Sequence, residues 1–335
     1  PLAPLFHLSG GIFSEAALGT ASFTMPATGW WQSSAGVFFG GTYAFVADAA
    51  LGGAIYTSFP RATGLATSEL SISYLRPATV KSGSINARAR VIQAGKAQGL
   101  SEAVIEDAQG RLLAHATSRC IIFKLPFDPP PPPDTFEKKE QPTYPTPDPY
   151  LRPPEGALIP REEFETKSGL QISQEWCEGK VPRAPIGELL GLRCVEVGEG
   201  VEVFSVPASE WFCTAYRTFY GGAVALIADV AMGGAVNNTL PAASSYASLD
   251  LKVYFLRPVQ PDGRDLMARA QVVHRGRTLA VATCEITDAD GKRIATATSS
   301  HLVFEGRSWL RDGVDATLDA APAEAVNNDL GQRRR

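Results

Sequence analysis

Two aspartates, Asp48 and Asp229, stand alone in otherwise apolar stretches. Each follows a glycine pair by the same distance, Gly40-Gly41 before Asp48 and Gly221-Gly222 before Asp229. A carboxyl walled in by apolar side chains is held above its ordinary pKa, which suits a general base or a poised nucleophile. The first amides of a helix point outward without intrahelical partners and carry the positive end of the dipole. Glycine there lets a carbonyl come close, so Gly40 and Gly221 can each offer an N–H to a developing oxyanion. A plainer use is also open: each Asp ties down a neighbouring loop by hydrogen bonds. Other machineries are missing, with no G-x-S-x-G elbow, no H-E-x-x-H and no G-x-x-x-x-G-K phosphate loop. His7, His115, His274 and His301 are isolated, which argues against a metal site.

The stretches that carry these residues, 38–54 and 219–235, read as a Gly-Gly turn running into a helix apolar on every side, hence buried. They are related by an offset of 181, which also maps Pro26, Trp30, Arg76-Pro77, Asp107 and Gly110 onto Pro207, Trp211, Arg257-Pro258, Asp288 and Gly291. So long a self-similarity marks a duplicated domain rather than a solenoid. Around each helix the chain alternates as strands: Leu70, Ile72 and Tyr74 share a face, as do Ile85, Ala87, Ala89 and Val91. One helix followed by a meander of antiparallel strands is an α+β unit with its sheet curled around the helix. Residues 8–18 read as a further short helix. Asp48 lies eight residues after Gly40, so the two are about 12 Å apart along one helix, too far to act on the same atom. Each site must then be crossed, Gly40 with Asp229 and Gly221 with Asp48.

At 335 residues, 44% hydrophobic and 20% charged, the chain can form two ordinary cores. A net charge of −4 disfavours nucleic acid or an anionic membrane as partner. Cys120, Cys177, Cys194, Cys213 and Cys284 are odd in number and form no C-x-x-C pair, so reduced thiols in a cytoplasmic protein are the simplest reading. The residues given show no basic-then-apolar leader with a cleavage site and no uninterrupted apolar run of transmembrane length, and a leader ahead of Pro1 stays open. The expected organisation is a first domain at 1–125, a proline-rich linker at 126–165, a second domain at 166–307 and a mobile tail at 308–335. Proline 129–133 in succession should run extended.

The sequence resembles the hotdog-fold acyl-CoA thioesterases, especially the phenylacetate-pathway and hydroxybenzoyl-CoA branch. The resemblance rests on the helix motif, on Tyr74-Leu75-Arg76-Pro77 and Phe255-Leu256-Arg257-Pro258, and on Asp107-x-x-Gly110 and Asp288-x-x-Gly291 with the Ala-x-Ala-Thr runs that follow. In that family a His-Gly-Gly opens the helix and the acid lies nine residues after the His, the spacing of Asp48 and Asp229 here. The family's His is Phe39 in one copy and Tyr220 in the other, and its polar residue six before is Ser33 or Thr214. The glycine three before the His is kept as Gly36 and replaced by Arg217.

The resemblance implies a double hotdog paired as an internal pseudo-dimer, with further homo-oligomerisation left open. It implies hydrolysis of acyl-CoA with Asp48, Asp229, Gly40 and Gly221 catalytic and no metal or cofactor. Ser33, Thr214, Phe39, Tyr220, Gly41 and Gly222 would contact substrate. Two alternatives stand beside it, a double hotdog that binds acyl-CoA or an acyl carrier without turnover, and a hotdog dehydratase or hydratase. Because Gly36 leaves bare backbone where the second copy has Arg217, the Gly40–Asp229 site is expected to do most of the work. Trp30, Trp31, Phe38, Phe39 and Tyr220 suggest an aromatic mouth, and Lys81, Arg183, Arg275 and Arg277 are candidate contacts for the CoA phosphates.

Overall fold

The computed structural model describes residues 3–60, 62–126 and 146–306. The successive prolines 129–133 and the tail from 308 lie outside the described residues. The first copy runs α1 (Pro4–Ser9), β1 (Ile12–Ala17), β2 (Thr20–Pro26), α2 (Gly41–Tyr56), β3 (Thr63–Tyr74), β4 (Ser84–Ala94), β5 (Gln98–Asp107) and β6 (Leu112–Lys124). Two connector helices follow, α3 (Arg161–Thr166) and α4 (Gly169–Cys177). The second copy runs α5 (Pro185–Leu190), β7 (Arg193–Gly198), β8 (Val201–Pro207), α6 (Gly221–Asn237), β9 (Ser245–Ser248), β10 (Asp250–Phe255), β11 (Asp265–Arg275), β12 (Leu279–Thr287) and β13 (Arg293–Phe304). The offset of 181 therefore reaches back to the first helices, with Pro4 becoming Pro185.

The strands form one antiparallel sheet in the order β1-β2-β4-β5-β6-β3-β10-β13-β12-β11-β8-β7, with β9 added at β13. The copies join edge to edge through β3 and β10, where Ser71 faces Lys252. Those two residues are each other's counterparts at the repeat offset, so the pseudo-twofold axis passes between them. It is the self-complementary contact of a C2 dimer written into one chain. Pairing the two edge strands also removes two open templates for aggregation.

Inside the curl lie α2 and α6. Their apolar faces go all round because sheet covers one side and the other helix covers the rest: 13 of the 16 residues of α2 are buried. The crossing is made through the second glycine of each turn. A Cβ on Gly41 would stand 2.6 Å from the Leu226 Cα, and one on Gly222 would stand 2.8 Å from the Phe45 Cα. Neither backbone could yield to a methyl group without parting the helices.

Two expectations need correcting. Residues 8–18 are not a helix: α1 stops at Ser9 because Gly10 takes a left-handed conformation (φ 70°), and Ile12–Ala17 pairs with β2. The Ala, Glu and Leu there have helical propensity, but ladder hydrogen bonds to β2 override it. The cysteines are not all thiols: Cys177 at the end of α4 is bonded to Cys194 in β7, with their Cα atoms 5.4 Å apart, whereas Cys120, Cys213 and Cys284 are free and buried. Linear spacing hid this pair because tertiary packing of α4 on β7 brings it together. The described end of the connector is ordered. Pro149–Leu151 makes a helical turn, α3 begins at Arg161, and backbone bonds anchor the segment to both copies. The Ile159 N–H donates to the Ser34 carbonyl, and the Ala243 N–H to that of Phe164.

Candidate active site

The two acids meet the glycine turns of the opposite copy. The Gly41 N–H donates to Asp229 Oδ2 at 2.9 Å, and the Gly40 amide also pulls on this carboxylate. On the other side Asp48 Oδ2 lies 3.0 Å from where a Cβ of Gly221 would stand, and the Gly222 amide hydrogen-bonds the carboxylate. The arrangement is crossed, as the length of a helix demands.

The acids differ in how well they are satisfied. Thr67, in β3, donates its hydroxyl to Asp48 Oδ1 at 3.0 Å. Its counterpart Ser248 lies instead 3.4 Å from His301 Nδ1, and Asp229 Oδ1 has no hydrogen-bond partner among the described residues. Burial pushes Asp48 up to about 6, held back by Thr67 and then by the Gly222 amide. Burial pushes Asp229 further, to about 7, against the pull of the Gly41 and Gly40 amides. Tyr74 adds a second orphan. Its ring lies against Gly40, where a Cβ would stand 2.5 Å from it, and its buried hydroxyl has no partner among the described residues. The Tyr74 phenol is held well above its ordinary pKa by burial first and by the Asp229 charge next.

A cavity of about 470 Å³ opens beside the Gly40–Asp229 pair. Its wall carries Gly40, Tyr74 and Val230 around the acid, and Asp229 itself is fully buried (0% exposed). Ser33, Phe38 and Phe39 line it. The connector roofs it through Ile159, which is hydrogen-bonded to Ser34, and through Phe164, Ile172 and Trp176. Both copies and the segment between them therefore build one chamber.

The Gly221–Asp48 side is filled. The Tyr220 ring packs edge-on against Phe45 at 5.0 Å, and its hydroxyl donates to the Phe45 carbonyl at 2.6 Å. Further along α2, Phe13 presses on Gly53 and meets Phe6 and Phe23 edge-on in an aromatic plug.

Of the residues expected to contact substrate, Ser33 and Phe39 line the cavity. Gly41 and Gly222 lie buried at the helix crossing, Tyr220 is in the core, and Thr214 is spent on its own turn, bonding Thr218 and the Tyr216 N–H. Arg217 adopts the left-handed φ of 58° that Gly36 (φ 84°) takes for free, and its side chain runs out to Glu210 rather than to Asp48. Trp31 is buried against Phe45, and Trp30 hands its N–H to the Arg152 carbonyl. Of the four cations, Arg183 lines the cavity and is paired with Glu188. Among the described residues no group of three or more His, Cys, Asp or Glu could hold a metal ion. Sequence reasoning missed Tyr74, Thr67 and the connector roof. A usable signal for Thr67 was there, since a hydroxyl residue follows each Asp by 19 positions, Thr67 and Ser248.

The pattern of the thioesterase superfamily matches twice, over residues 35–114 and 216–295, one match on each glycine turn and helix. Both halves of the duplication thus match the thioesterase superfamily. Two archaeal relatives are named provisionally as esterases. One, from Halobacterium salinarum, is 37% identical over 93 residues, 25% of this chain and 60% of that protein, so the chain spans less than two thirds of it. The other, from Saccharolobus solfataricus, is 28% identical over 119 residues, 36% of this chain and 83% of that protein. Among solved structures, the tesB protein of Mycobacterium avium subspecies paratuberculosis superposes with a TM-score of 0.54 at 13% identity, covering 84% of this chain and 92% of that one. The acyl-CoA thioesterase II TesB2 of Mycobacterium marinum does so with a TM-score of 0.52 at 15% identity, covering 90% and 98%. At such identities the likeness is one of fold, and that fold is the double hotdog. Among its described residues no helix is long and apolar enough to cross a membrane.

Proposed function

We propose that the chain hydrolyses acyl-CoA thioesters and does so at the Gly40–Asp229 site. One observation carries the reading: a fully buried carboxylate with one oxygen on the Gly41 amide and the other unpartnered, beside a cavity built by both copies. The thioester carbonyl enters against Gly40 as the Tyr74 ring moves aside, and its oxygen takes the Gly40 N–H. Asp229 removes a proton from water, the water oxygen bonds the carbonyl carbon, the C–S bond breaks, and the proton returns to the leaving thiolate. A carboxyl held near 7 serves this role at neutral pH because it can both take and give the proton. Direct attack by Asp229 on the carbonyl, with water then cleaving the mixed anhydride, gives the same products. The reading thus narrows the superfamily activity to one site and to CoA esters.

A second reading has its own support. The Asp229 carboxylate already occupies the amides that an oxyanion would need, which suits a chamber that binds an acyl-CoA without cleaving it. A thiol-release assay over short, long and aromatic acyl-CoAs separates the two. Asp229→Asn is expected to abolish turnover while keeping affinity for a non-hydrolysable CoA thioether, and Asp48→Asn to leave most of it. Tight thioether binding by wild type with no thiol released from any ester decides for the binding chamber. The reverse ranking of the two variants moves the chemistry to Asp48.

A further inference from the structure

Behind the reacting end of the cavity, Glu202 projects from β8 into the apolar chamber. The residue is 1% exposed, yet it lines the cavity, whose wall also carries Ile172, Trp176, Leu192, Phe204 and the Tyr246 phenol. Its Oε2 accepts from Asn238 Nδ2, which also donates to the Val201 carbonyl. Asn238 is the side-chain partner of this carboxyl among the described residues, and no cation there pairs with it. Burial drives the carboxyl up to about 7, with the Asn238 amide opposing. An acid held by one amide in an apolar wall is costly, and something must repay it.

The fold does not ask for this acid. The repeat places Ala21 at the position equivalent to Glu202 and Thr57 at that of Asn238. There the neighbouring Gly53 is covered by Phe13, whereas the matching Gly234 faces the Glu202 side chain, whose Cγ would lie 3.0 Å from a Cβ. One copy of the same scaffold therefore plugs this space with an aromatic ring, and the other leaves it open and sets a carboxyl in it. Gly234 comes five residues after Asp229, so Glu202 stands about 7.5 Å further along α6 from the reacting end. Trp176 of α4 packs on Phe204, two residues along β8 from Glu202, and this apolar surface suits an acyl group rather than the CoA.

We infer that Glu202 selects the acyl group: it accepts a hydrogen bond from a donor, such as a hydroxyl, at the far end of a medium-length acyl chain, and it disfavours a plain alkyl tail. This rests on the proposed reading that an acyl-CoA fills the chamber. A pocket built to bond a polar group discriminates strongly against an analogue lacking it, because the buried partner is then left unpaired.

The test uses the full chain and pairs ω-hydroxyhexanoyl-CoA with hexanoyl-CoA and heptanoyl-CoA. Wild type should favour the hydroxylated ester at least tenfold in kcat/KM. Glu202→Ala should abolish or reverse that preference by raising KM for the hydroxylated ester, and Glu202→Gln, which keeps an acceptor oxygen, should retain part of it. The corresponding CoA thioethers are titrated in parallel. If no ester is cleaved but the ω-hydroxyhexyl thioether binds at least tenfold tighter than the hexyl one in wild type and not in Glu202→Ala, the hydrolysis reading fails and this one stands. Equal or better handling of the alkyl member by wild type, an unchanged ratio in Glu202→Ala, or no binding of either thioether overturns it.

Discussion

Asp229→Asn should stabilise the protein, and by an amount that grows with pH. The buried carboxyl titrates near 7 instead of near 3.8, because burial disfavours its charge more than the Gly41 and Gly40 amides favour it. Between those two values the folded chain holds a proton that the unfolded chain has lost. The stabilising contribution is thus complete below about pH 4 and disappears as pH rises through about 7. At 1.36 kcal/mol per pKa unit, the interval is worth on the order of 4 kcal/mol. Asparagine has the same shape, its carbonyl still accepts the Gly41 N–H, and it carries no charge to desolvate. Asp48 and Glu202 are also raised, but they remain in both proteins and cancel in the comparison. Urea unfolding followed by tryptophan fluorescence from pH 5 to 8 should show the variant gaining on wild type by roughly 3 kcal/mol across the range, at about 1.4 kcal/mol per pH unit until the gain levels off near pH 7. A gap that stays constant with pH, or a variant weaker than wild type at pH 8, refutes the argument that this carboxyl is held in an unfavourable charge state. Stability gained where activity is lost would be the trade expected of a functional acid.

Three further outcomes follow from the same geometry. The kcat/KM for thiol release should rise along a single ionisation limb near pH 7 as Asp229 becomes a base, and a profile flat from pH 5.5 to 8 would contradict it. Gly41→Ala should cost several kcal/mol or prevent folding, since its Cβ would meet the Leu226 Cα at 2.6 Å, whereas Gly110→Ala, at an open turn with φ 75°, should cost only about 1 kcal/mol by urea midpoint. A chain ending at Leu125 should aggregate, having exposed the β3 edge and the crossing face of α2. A soluble monomer with a cooperative unfolding transition would show that the join is dispensable.

The repeat, the buried helices and the crossed pairing of Gly40 with Asp229 could all be read from residue order, because each follows from a count: an offset of 181, a helix apolar on every side, a rise per residue. What could not be read depends on neighbours distant in sequence. Ile12–Ala17 has helical propensity and becomes a strand only because β2 is there to pair with it. Cys177 and Cys194 look unrelated until α4 lies on β7. The difference between Asp48 and Asp229 turns on whether a strand hydroxyl faces the acid, as Thr67 does and Ser248 does not. Glu202 looks in the sequence like any charged residue in a strand, and only its neighbours Gly234 and Asn238 reveal that it points inward.

The pairing of Ser71 with Lys252 has a consequence for how such a chain can change. In a dimer of identical subunits every substitution arrives twice, so a ring that seals one chamber seals both and abolishes the activity. Here the axis relates two stretches that are inherited together and altered separately. Phe13 could therefore close one chamber with no loss at the other, and Glu202 could be introduced where a single substrate is handled. The half that no longer needs room for a ligand becomes free to be rigid. It still supplies Gly40 and Tyr74 to the open chamber, so on the proposed function it is kept as one wall of that chamber rather than as a spare copy.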